Sequence, residues 1–128
     1  MYEVYELPQG KIVLTSITKN LSTGVLYLNP HQELLKHNRP VTEQLLQVLG
    51  TCVIKLFDGE LFTQEITLHE NETLTIPANQ FHVHKNPTNE ASLTIWKFEG
   101  DILKVIQKIR EANKKIITKP VPLGGKLF

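Results

Sequence analysis

Short β-rich runs separated by turn-forming residues dominate the first hundred residues of the chain. The runs cover residues 11–18, 25–28, 44–49, 52–57, 60–68, 73–76 and 91–98. Between two of these runs, Asp58-Gly59 is typical of a tight hairpin turn, because both residues tolerate positive φ. Many short strands without intervening helices favour a sandwich or barrel over a βαβ fold. The sequence therefore predicts an all-β domain over about residues 1–99.

A different periodicity begins after Gly100. Apolar residues recur there at helical spacing, and Asp101 can accept hydrogen bonds from the first turn of a helix. The apolar positions are Ile102, Val105, Ile106, Ile109, Ala112 and Ile116. We interpret the lysines between them as a solvated face near the helix C-terminus, where the dipole favours cations. We predict a helix over about residues 101–115 that packs outside the barrel, then an irregular tail over 118–128.

Composition and charge exclude several classes of protein. The 128 residues suit one domain, and 14 basic against 13 acidic residues give a net charge of +1. This balance provides no general attraction to nucleic acid or anionic membranes. The single cysteine, Cys52, allows no internal disulfide, and we interpret it as an inert core thiol. With neither a secretion signal nor a membrane-length apolar run, we expect a single-domain cytoplasmic protein without nucleic-acid or membrane partners.

Four of the five histidines fall in two short stretches of the chain. The first stretch contains His31, His37, Arg39 and Glu43, and the second contains His82 and His84. Residues two apart on an extended chain share a face, so His37 pairs with Arg39 and His82 pairs with His84. Two neutral imidazoles and a carboxylate from different strands can converge on a divalent metal. The same ligand set leaves open positions for oxygen chemistry at non-haem iron.

The order and spacing of these residues resemble the two motifs of the cupin superfamily. The first motif runs Gly, five residues, His-x-His, three or four residues, Glu, six residues, Gly. The second runs Gly, five residues, Pro-x-Gly, two residues, His, three residues, Asn. The matching residues are His37, Glu43 and Gly50 for the first motif, and Pro77, His82 and Asn86 for the second. The resemblance covers about residues 25–98 and implies a double-stranded β-helix, the cupin jelly-roll barrel, on which many chemistries occur.

Three departures from these motifs concern glycines. His31 and Asn71 stand in place of the two leading glycines, and Asn79 replaces the glycine after the proline. Asparagine is the non-glycine residue that best tolerates positive φ, so Asn71 and Asn79 are compatible with turns at those positions.

A fourth departure lies in the implied metal site, where Arg39 stands at the second histidine of His-x-His. Arginine stays cationic and has no lone pair, so it cannot be a ligand. Two arrangements stay open. In one, Arg39 points inward and pairs with Glu43 in a metal-free barrel. In the other, Arg39 turns toward the mouth, and His37, Glu43 and His82 form a reduced ligand set to which His84 could add an imidazole.

The resemblance implies two functions between which the sequence does not choose. In the first, His37, Glu43 and His82 bind a divalent metal (Fe, Mn, Ni or Zn), and Arg39 orients a small polar or anionic molecule with His84 nearby. This metal-binding function is compatible with oxygenation, isomerisation or epimerisation, and also with ligand binding without catalysis. The alternative is a metal-free ligand-binding or structural module in which the same residues form a polar cluster.

We also expect a homodimer, because small cupins commonly pair. The N-terminal strands around Val4-Tyr5 and residues 12–14 need a sheet edge, and no proline blunts residues 11–18. Apolar residues of the tail could cover either the chain's own barrel or that of a partner. These residues are Val121, Leu123, Leu127 and Phe128.

Overall fold

Ten strands in two antiparallel sheets, with one helix, make up the part of the chain that the computed structural model describes, residues 2–124. The elements are β1 (Glu3–Leu7), β2 (Gly10–Ile17), β3 (Leu21–Leu28), β4 (Thr42–Leu49), β5 (Cys52–Asp58), β6 (Leu61–Leu68), β7 (Thr73–Ile76), β8 (Phe81–Lys85), β9 (Ser92–Glu99), α1 (Leu103–Ala112) and β10 (Lys114–Ile116). The larger sheet has the order β10-β1-β2-β3-β9-β4-β7, and the smaller has the order β6-β5-β8. The predicted all-β fold with one helix near the C-terminus is confirmed.

The core lies between the inner faces of the two sheets. Strand β9 shows the alternation that places it there, because Trp96 and Phe98 are buried while Ile95 is exposed. Leu26, Leu45 and Ile54 from other strands join the same cluster of buried side chains. None of the helices in residues 2–124 combines the length and hydropathy required to span a membrane.

The predicted hairpin at Asp58-Gly59 is present between β5 and β6. Asp58 pairs with Leu61, and Gly59 has a φ of 59°. Every predicted β-rich run overlaps a strand of the structure. Strand β8 was not predicted as a strand, because its five residues include two histidines among few β-formers.

The non-glycine residues with positive φ in the described chain are the three that stand in place of motif glycines. His31, Asn71 and Asn79 have φ values of 60°, 72° and 67°, and no other non-glycine residue within 2–124 has a positive φ. The turn conformations predicted for Asn71 and Asn79 are therefore confirmed.

The C-terminal helix is shorter than predicted. It begins at Leu103 and ends at Ala112, rather than covering 101–115. Asn113 is extended, and its side-chain Nδ2 donates a hydrogen bond to the carbonyl of Ile109 at 2.9 Å. Residues 114–116 then pair with β1, so Ile116 lies opposite Val4 instead of on the helical stripe. Pairing with an open sheet edge outweighs the local helical pattern here.

Pairing with β10 also removes the open edge that we expected at the N-terminal strands. Strand β1 has β2 on one side and β10 on the other, so the argument for dimerisation through that edge was wrong. Residues 117–124 have no regular secondary structure and are exposed, with Val121 at 91% and Leu123 at 78% exposure. The rest of the predicted tail, residues 125–128 with Leu127 and Phe128, lies outside the described residues.

Candidate metal centre

Strands β4 and β8 and the segment before β4 bring the candidate residues together on the inner side of the barrel. Glu43 belongs to β4, and His82 and His84 belong to β8. His37 is fixed by two backbone hydrogen bonds with β8. The amide of His37 donates a hydrogen bond to the carbonyl oxygen of His82 at 3.1 Å. The amide of His82 donates one to the carbonyl oxygen of His37 at 2.8 Å.

Three imidazoles form the centre of this cluster. One ring nitrogen from each of His37, His82 and His84 lies within 4.8 Å of the other two. The ring centroids of His37 and His82 are 4.4 Å apart, and those of His82 and His84 are 5.0 Å apart. His82 and His84 are only 1% and 4% exposed. The spacing is short enough for one ion to contact all three rings.

The orientation of two of these rings is fixed by the backbone. Nδ1 of His37 lies 2.8 Å from the carbonyl oxygen of Leu35, and Nδ1 of His82 lies 2.8 Å from that of Gln80. A carbonyl oxygen only accepts, so each Nδ1 carries the proton and each Nε2 keeps its lone pair. Buried Nε2 of His82 has no hydrogen-bond partner among the described residues. This is the arrangement by which proteins hold imidazoles ready for a metal.

The electrostatics of these two histidines favour the neutral ring. Burial, with a smaller contribution from the cationic Arg39, lowers the pKa of His37 to about 3. Burial, with the neighbouring His84, lowers the pKa of His82 to about 4. Both rings therefore stay neutral at neutral pH, and a second proton does not compete for the lone pair of Nε2.

Glu43 is paired with imidazoles. Its Oε1 lies 3.3 Å from Nε2 of His84 and 3.9 Å from Nε2 of His82, and the residue is 3% exposed. Burial would raise the pKa of Glu43, but the hydrogen bond and charge of His84 outweigh it and lower the pKa below its usual range. Burial likewise acts to lower the pKa of His84, but contacts with Cys52 and Glu43 raise it. Cys52 is fully buried as predicted, yet it contacts a site residue, which the sequence did not indicate.

Arg39 does not pair with Glu43. Among the ion pairs of residues 2–124, those of Glu43 are with His82 and His84. Nη1 of Arg39 instead donates to the carbonyl of Asn38 at 3.3 Å, and burial lowers the pKa of the guanidinium. Of the two arrangements left open by the sequence, the Arg39–Glu43 pair is therefore not formed, and His84 joins the other imidazoles.

A small cavity adjoins the imidazole cluster. Its volume is about 50 Å³, space for about three or four water molecules. The polar side chains on its wall come from His37, Arg39, Glu43, His84, Thr94 and Trp96. Ile106 and Ile109 of α1 close one side of it. A wider depression of about 380 Å³ also borders His37 and Arg39, so both residues lie between the cavity and the surface.

Two polar residues of the cavity wall, Trp96 and Thr94, were not among the predicted site residues. Trp96 is buried, but its Nε1 has no hydrogen-bond partner within the described residues. Thr94 lies on the same inner face of β9. The alternation of β9 indicates that both side chains point inward, but it does not indicate which inward positions border a cavity.

Asn86, which matches the last position of the second motif, has a structural role. Its Nδ2 donates to the carbonyls of Leu28, Asn29 and Glu90 at 3.2, 3.2 and 2.7 Å. Its Oδ1 accepts from the amide and hydroxyl of Thr88. These partners lie at the end of β3, in the loop after β3 and in the loop after β8. The contacts occupy both the Nδ2 and the Oδ1 of Asn86 and leave neither for a ligand.

Comparison with known proteins gives a structural likeness only. No protein-family model matches the sequence, and no curated protein matches it. The fold is similar to oxalate decarboxylase of Bacillus subtilis, an enzyme with Mn(II) centres, with a TM-score of 0.67 and 16% identity over 75% of this chain and 27% of that one. It is also similar to SPY1581 of Streptococcus pyogenes, a protein of unknown function, with a TM-score of 0.58 and 18% identity over 70% of this chain and 72% of that one.

At these identities the likeness shows the fold and not the reaction. The chain spans about a quarter of the decarboxylase's length, so that enzyme's activity belongs to a much longer protein. Two facing antiparallel sheets, with histidines and a glutamate on their inner side, agree with the motif order that the sequence displays. The described chain has the cupin-like jelly-roll fold.

Proposed function

We propose that this protein binds a divalent metal ion through His37, His82 and His84, with Glu43 beside them, and takes up a small anion in the adjoining cavity. The observation that carries the proposal is the cluster of three ring nitrogens within 4.8 Å of one another, two of them from the buried residues His82 and His84. This set adds His84 to the sequence prediction of His37, Glu43 and His82. Imidazole nitrogens with a carboxylate suit Mn, Fe, Ni or Zn.

The donor atoms themselves fit a metal. Buried Nε2 of His82 has no hydrogen-bond partner within residues 2–124, and an unpaired buried polar atom is costly. A metal ion would satisfy such an atom. When bound, it would act as a Lewis acid for an oxygen ligand.

Arg39 supports an anionic ligand. It lies on the cavity wall with a cationic guanidinium whose single side-chain hydrogen bond, within the described residues, goes to Asn38. Its remaining N–H groups can bind a carboxylate in a bidentate manner. A cavity of about 50 Å³ admits only a molecule of a few heavy atoms, such as formate, acetate or oxalate. Apolar side chains such as Leu45 and Phe98 line the same cavity.

The proposal predicts stoichiometric metal binding by untagged protein. After removal of metal with a chelator, Mn²⁺, Fe²⁺, Ni²⁺ and Zn²⁺ are titrated and the bound ion is measured by elemental analysis. We expect about one ion per chain for at least one of them, and a loss of about tenfold or more in affinity for His82→Gln. His69→Gln is the control, because His69 is an exposed histidine on a loop whose side chain pairs with Glu72.

A second titration tests the anion. Formate, acetate and oxalate are added to metal-loaded protein, and Arg39→Gln is expected to weaken their binding while leaving the metal bound. Equal metal binding by wild type and His82→Gln, or none by wild type, contradicts the metal proposal. Unchanged anion affinity in Arg39→Gln contradicts only the role of Arg39.

One observation favours the metal-free alternative. Nε2 of His84 and Oε1 of Glu43 are 3.3 Å apart, with the pKa of His84 raised and that of Glu43 lowered. The positive charge of His84 then neutralises the negative charge of Glu43, so no metal ion is needed to balance it. Under this alternative the anions bind to chelator-treated protein as tightly as to metal-loaded protein.

A further inference from the structure

A wider space lies on the outer side of His37 and Arg39. This depression has a volume of about 380 Å³, within the range of about 300–1,000 Å³ that is typical of small-molecule sites. It shares part of its wall with the cavity beside the imidazoles. The residues that border both spaces are Ile12, Leu26, Leu34, His37, Arg39 and Ile109. A molecule held by Arg39 can therefore extend into the depression without fitting wholly inside the small cavity.

The wall of the depression is mostly apolar, and the core holds it in place. Leu7, Ile12, Leu34 and Ile109 border the depression, are half-buried and pack against the buried cluster of the barrel. They come from β1, β2, the segment before β4 and α1. Four separate parts of the fold thus form one apolar surface. Because the surface is preformed, a ligand does not have to order it on binding.

Leu35 adds an exposed side chain beside this surface. It borders the depression and is 81% exposed. Its carbonyl oxygen lies 2.8 Å from Nδ1 of His37, so the backbone of Leu35 is tied to the candidate metal centre. The side chain of Leu35 is therefore available to cover an apolar ligand next to Arg39.

Arg39 provides the charge of the depression. Among the described residues that border it, Arg39 is the only arginine, lysine, aspartate or glutamate. The other polar side chains there belong to Gln9, His37 and Asn113, and none of them is acidic. An anion beside Arg39 is therefore not repelled by a carboxylate of the same wall. The depression combines one cationic end with an apolar remainder.

We infer that the ligand of this site is a monocarboxylate with an apolar chain, whose carboxylate binds Arg39 and whose chain lies in the depression. This ligand class rests on the proposed function, since Arg39 is its anion-binding residue. The N–H groups of a guanidinium suit a carboxylate. Each methylene buried on the apolar wall strengthens binding about threefold to fourfold. Formate and acetate reach only the polar end, so they are weaker ligands than hexanoate.

A chain-length series measured by calorimetric titration tests this ligand class. Acetate, butanoate, hexanoate and hexylamine are titrated into protein that is loaded with metal and into protein treated with a chelator. We expect the affinity to rise about tenfold for each two methylenes added. Hexylamine has the same apolar chain as hexanoate, but its ammonium group would face the guanidinium of Arg39. It is therefore expected not to bind.

Three variants show where the carboxylate and the chain lie. Leu35→Ser removes an apolar side chain beside the wall and should weaken hexanoate binding about threefold or more, while acetate binding stays unchanged. Leu123→Ser is the matched control, because Leu123 is 78% exposed, lies outside regular secondary structure and does not border the depression. Arg39→Gln should weaken acetate and hexanoate by the same factor, so the gain per methylene remains.

Each result decides the ligand class. Equal affinities for acetate and hexanoate overturn it, but they leave the anion site intact if Arg39→Gln still weakens acetate. Hexanoate binding that Leu35→Ser and Leu123→Ser change equally also overturns it, because the chain then lies elsewhere. If no carboxylate binds, or if Arg39→Gln affects none of them, the proposed anion site fails and the ligand class fails with it. A chain-length series that persists in protein unable to bind metal supports the ligand class and contradicts only the metal centre.

Discussion

The surroundings of His82 determine which of its two ring nitrogens carries the proton and which keeps a lone pair. Its Nδ1 is held by the carbonyl of Gln80 two residues earlier, and its Nε2 is left facing Glu43 without a hydrogen bond. His37 repeats the same local contact with Leu35. In both cases the ring nitrogen bonds to the carbonyl oxygen two residues earlier in the chain. The centre is therefore largely preorganised by backbone geometry.

At the same scale, Asn79 occupies a conformation that costs other side chains free energy. Its φ is 67°, in the left-handed region, while its amide donates to the carbonyl of Arg39 at 2.7 Å. Asn79→Val is expected to reduce the free energy of unfolding by about 1–2 kcal/mol. Asn79→Gly should be neutral or stabilising. Urea denaturation measures both, with Ala78→Val as the control at a neighbouring exposed residue of ordinary φ. Equal losses for Asn79→Val and Ala78→Val would argue against backbone strain.

Motif spacing predicted His37, Glu43 and His82 as neighbours because the spacing follows from strand and turn lengths. It could not predict the contact of Cys52 with His84, which depends on two strands lying side by side in a particular register. It also left the direction of Arg39 open. A long flexible side chain on a loop takes its direction from the groups around it, and those come from distant parts of the chain.

At the scale of elements, the side chain of Trp96 on β9 packs directly over Gly24 on β3, because Gly24 has no side chain. A methyl group built on Gly24 overlaps both the indole ring of Trp96 and the carbonyl oxygen of Val13. Gly24→Ala is therefore expected to reduce the free energy of unfolding by about 2 kcal/mol or more, as overpacking usually does. Thermal or urea denaturation checks the loss.

A double-mutant cycle with Trp96→Phe tests the cause. Phenylalanine lacks the larger ring system of tryptophan, so Gly24→Ala should cost less in the Trp96→Phe background. Additive losses would place the conflict with the Val13 carbonyl alone.

The strands and the helix differ in how well the sequence predicted them. Hairpin turns such as Asp58-Gly59 and alternating strands are local, and they were found where predicted. Strand β10 was predicted as helix because its lysines and Ile116 continue the helical pattern. Its actual state is decided by β1, more than a hundred residues away along the chain. A pattern read over a few residues contains no information about such a partner.

At the scale of the whole molecule, one ion pair fastens the helix to the first strand. Oε1 and Oε2 of Glu3 accept hydrogen bonds from Nε and Nη2 of Arg110 at 3.0 and 2.7 Å. Tyr5 donates a further bond to Glu3 at 2.9 Å. The contact with Arg110 is the main reason that the pKa of Glu3 lies below its ordinary value of 4.5. It holds α1, which closes one side of the cavity, against the larger sheet.

This pair should make stability depend on pH. The pKa of Glu3 is lower in the folded chain, so its contribution is complete above pH 4.5 and disappears as pH falls through the folded value. Glu3→Gln is expected to lose up to about 1 kcal/mol at neutral pH and to match the wild type in strong acid. Urea denaturation at several pH values measures the difference, with Glu65→Gln as an exposed control on β6. A difference that is constant with pH would show that the charge of Glu3 contributes nothing.

The pairing of β10 with β1 has a consequence for the time at which the fold is completed during protein synthesis. Val4 leaves the ribosome long before Ile116, its partner across the sheet. Until residues 114–116 emerge, the outer edge of β1 presents unpaired amide and carbonyl groups, which can recruit a strand from another nascent chain. Strand β10 therefore protects the edge of β1, but only after nearly all of the chain has been synthesised. A chain that ends just after α1 contains every candidate metal residue but leaves the outer edge of β1 unpaired and open to another strand.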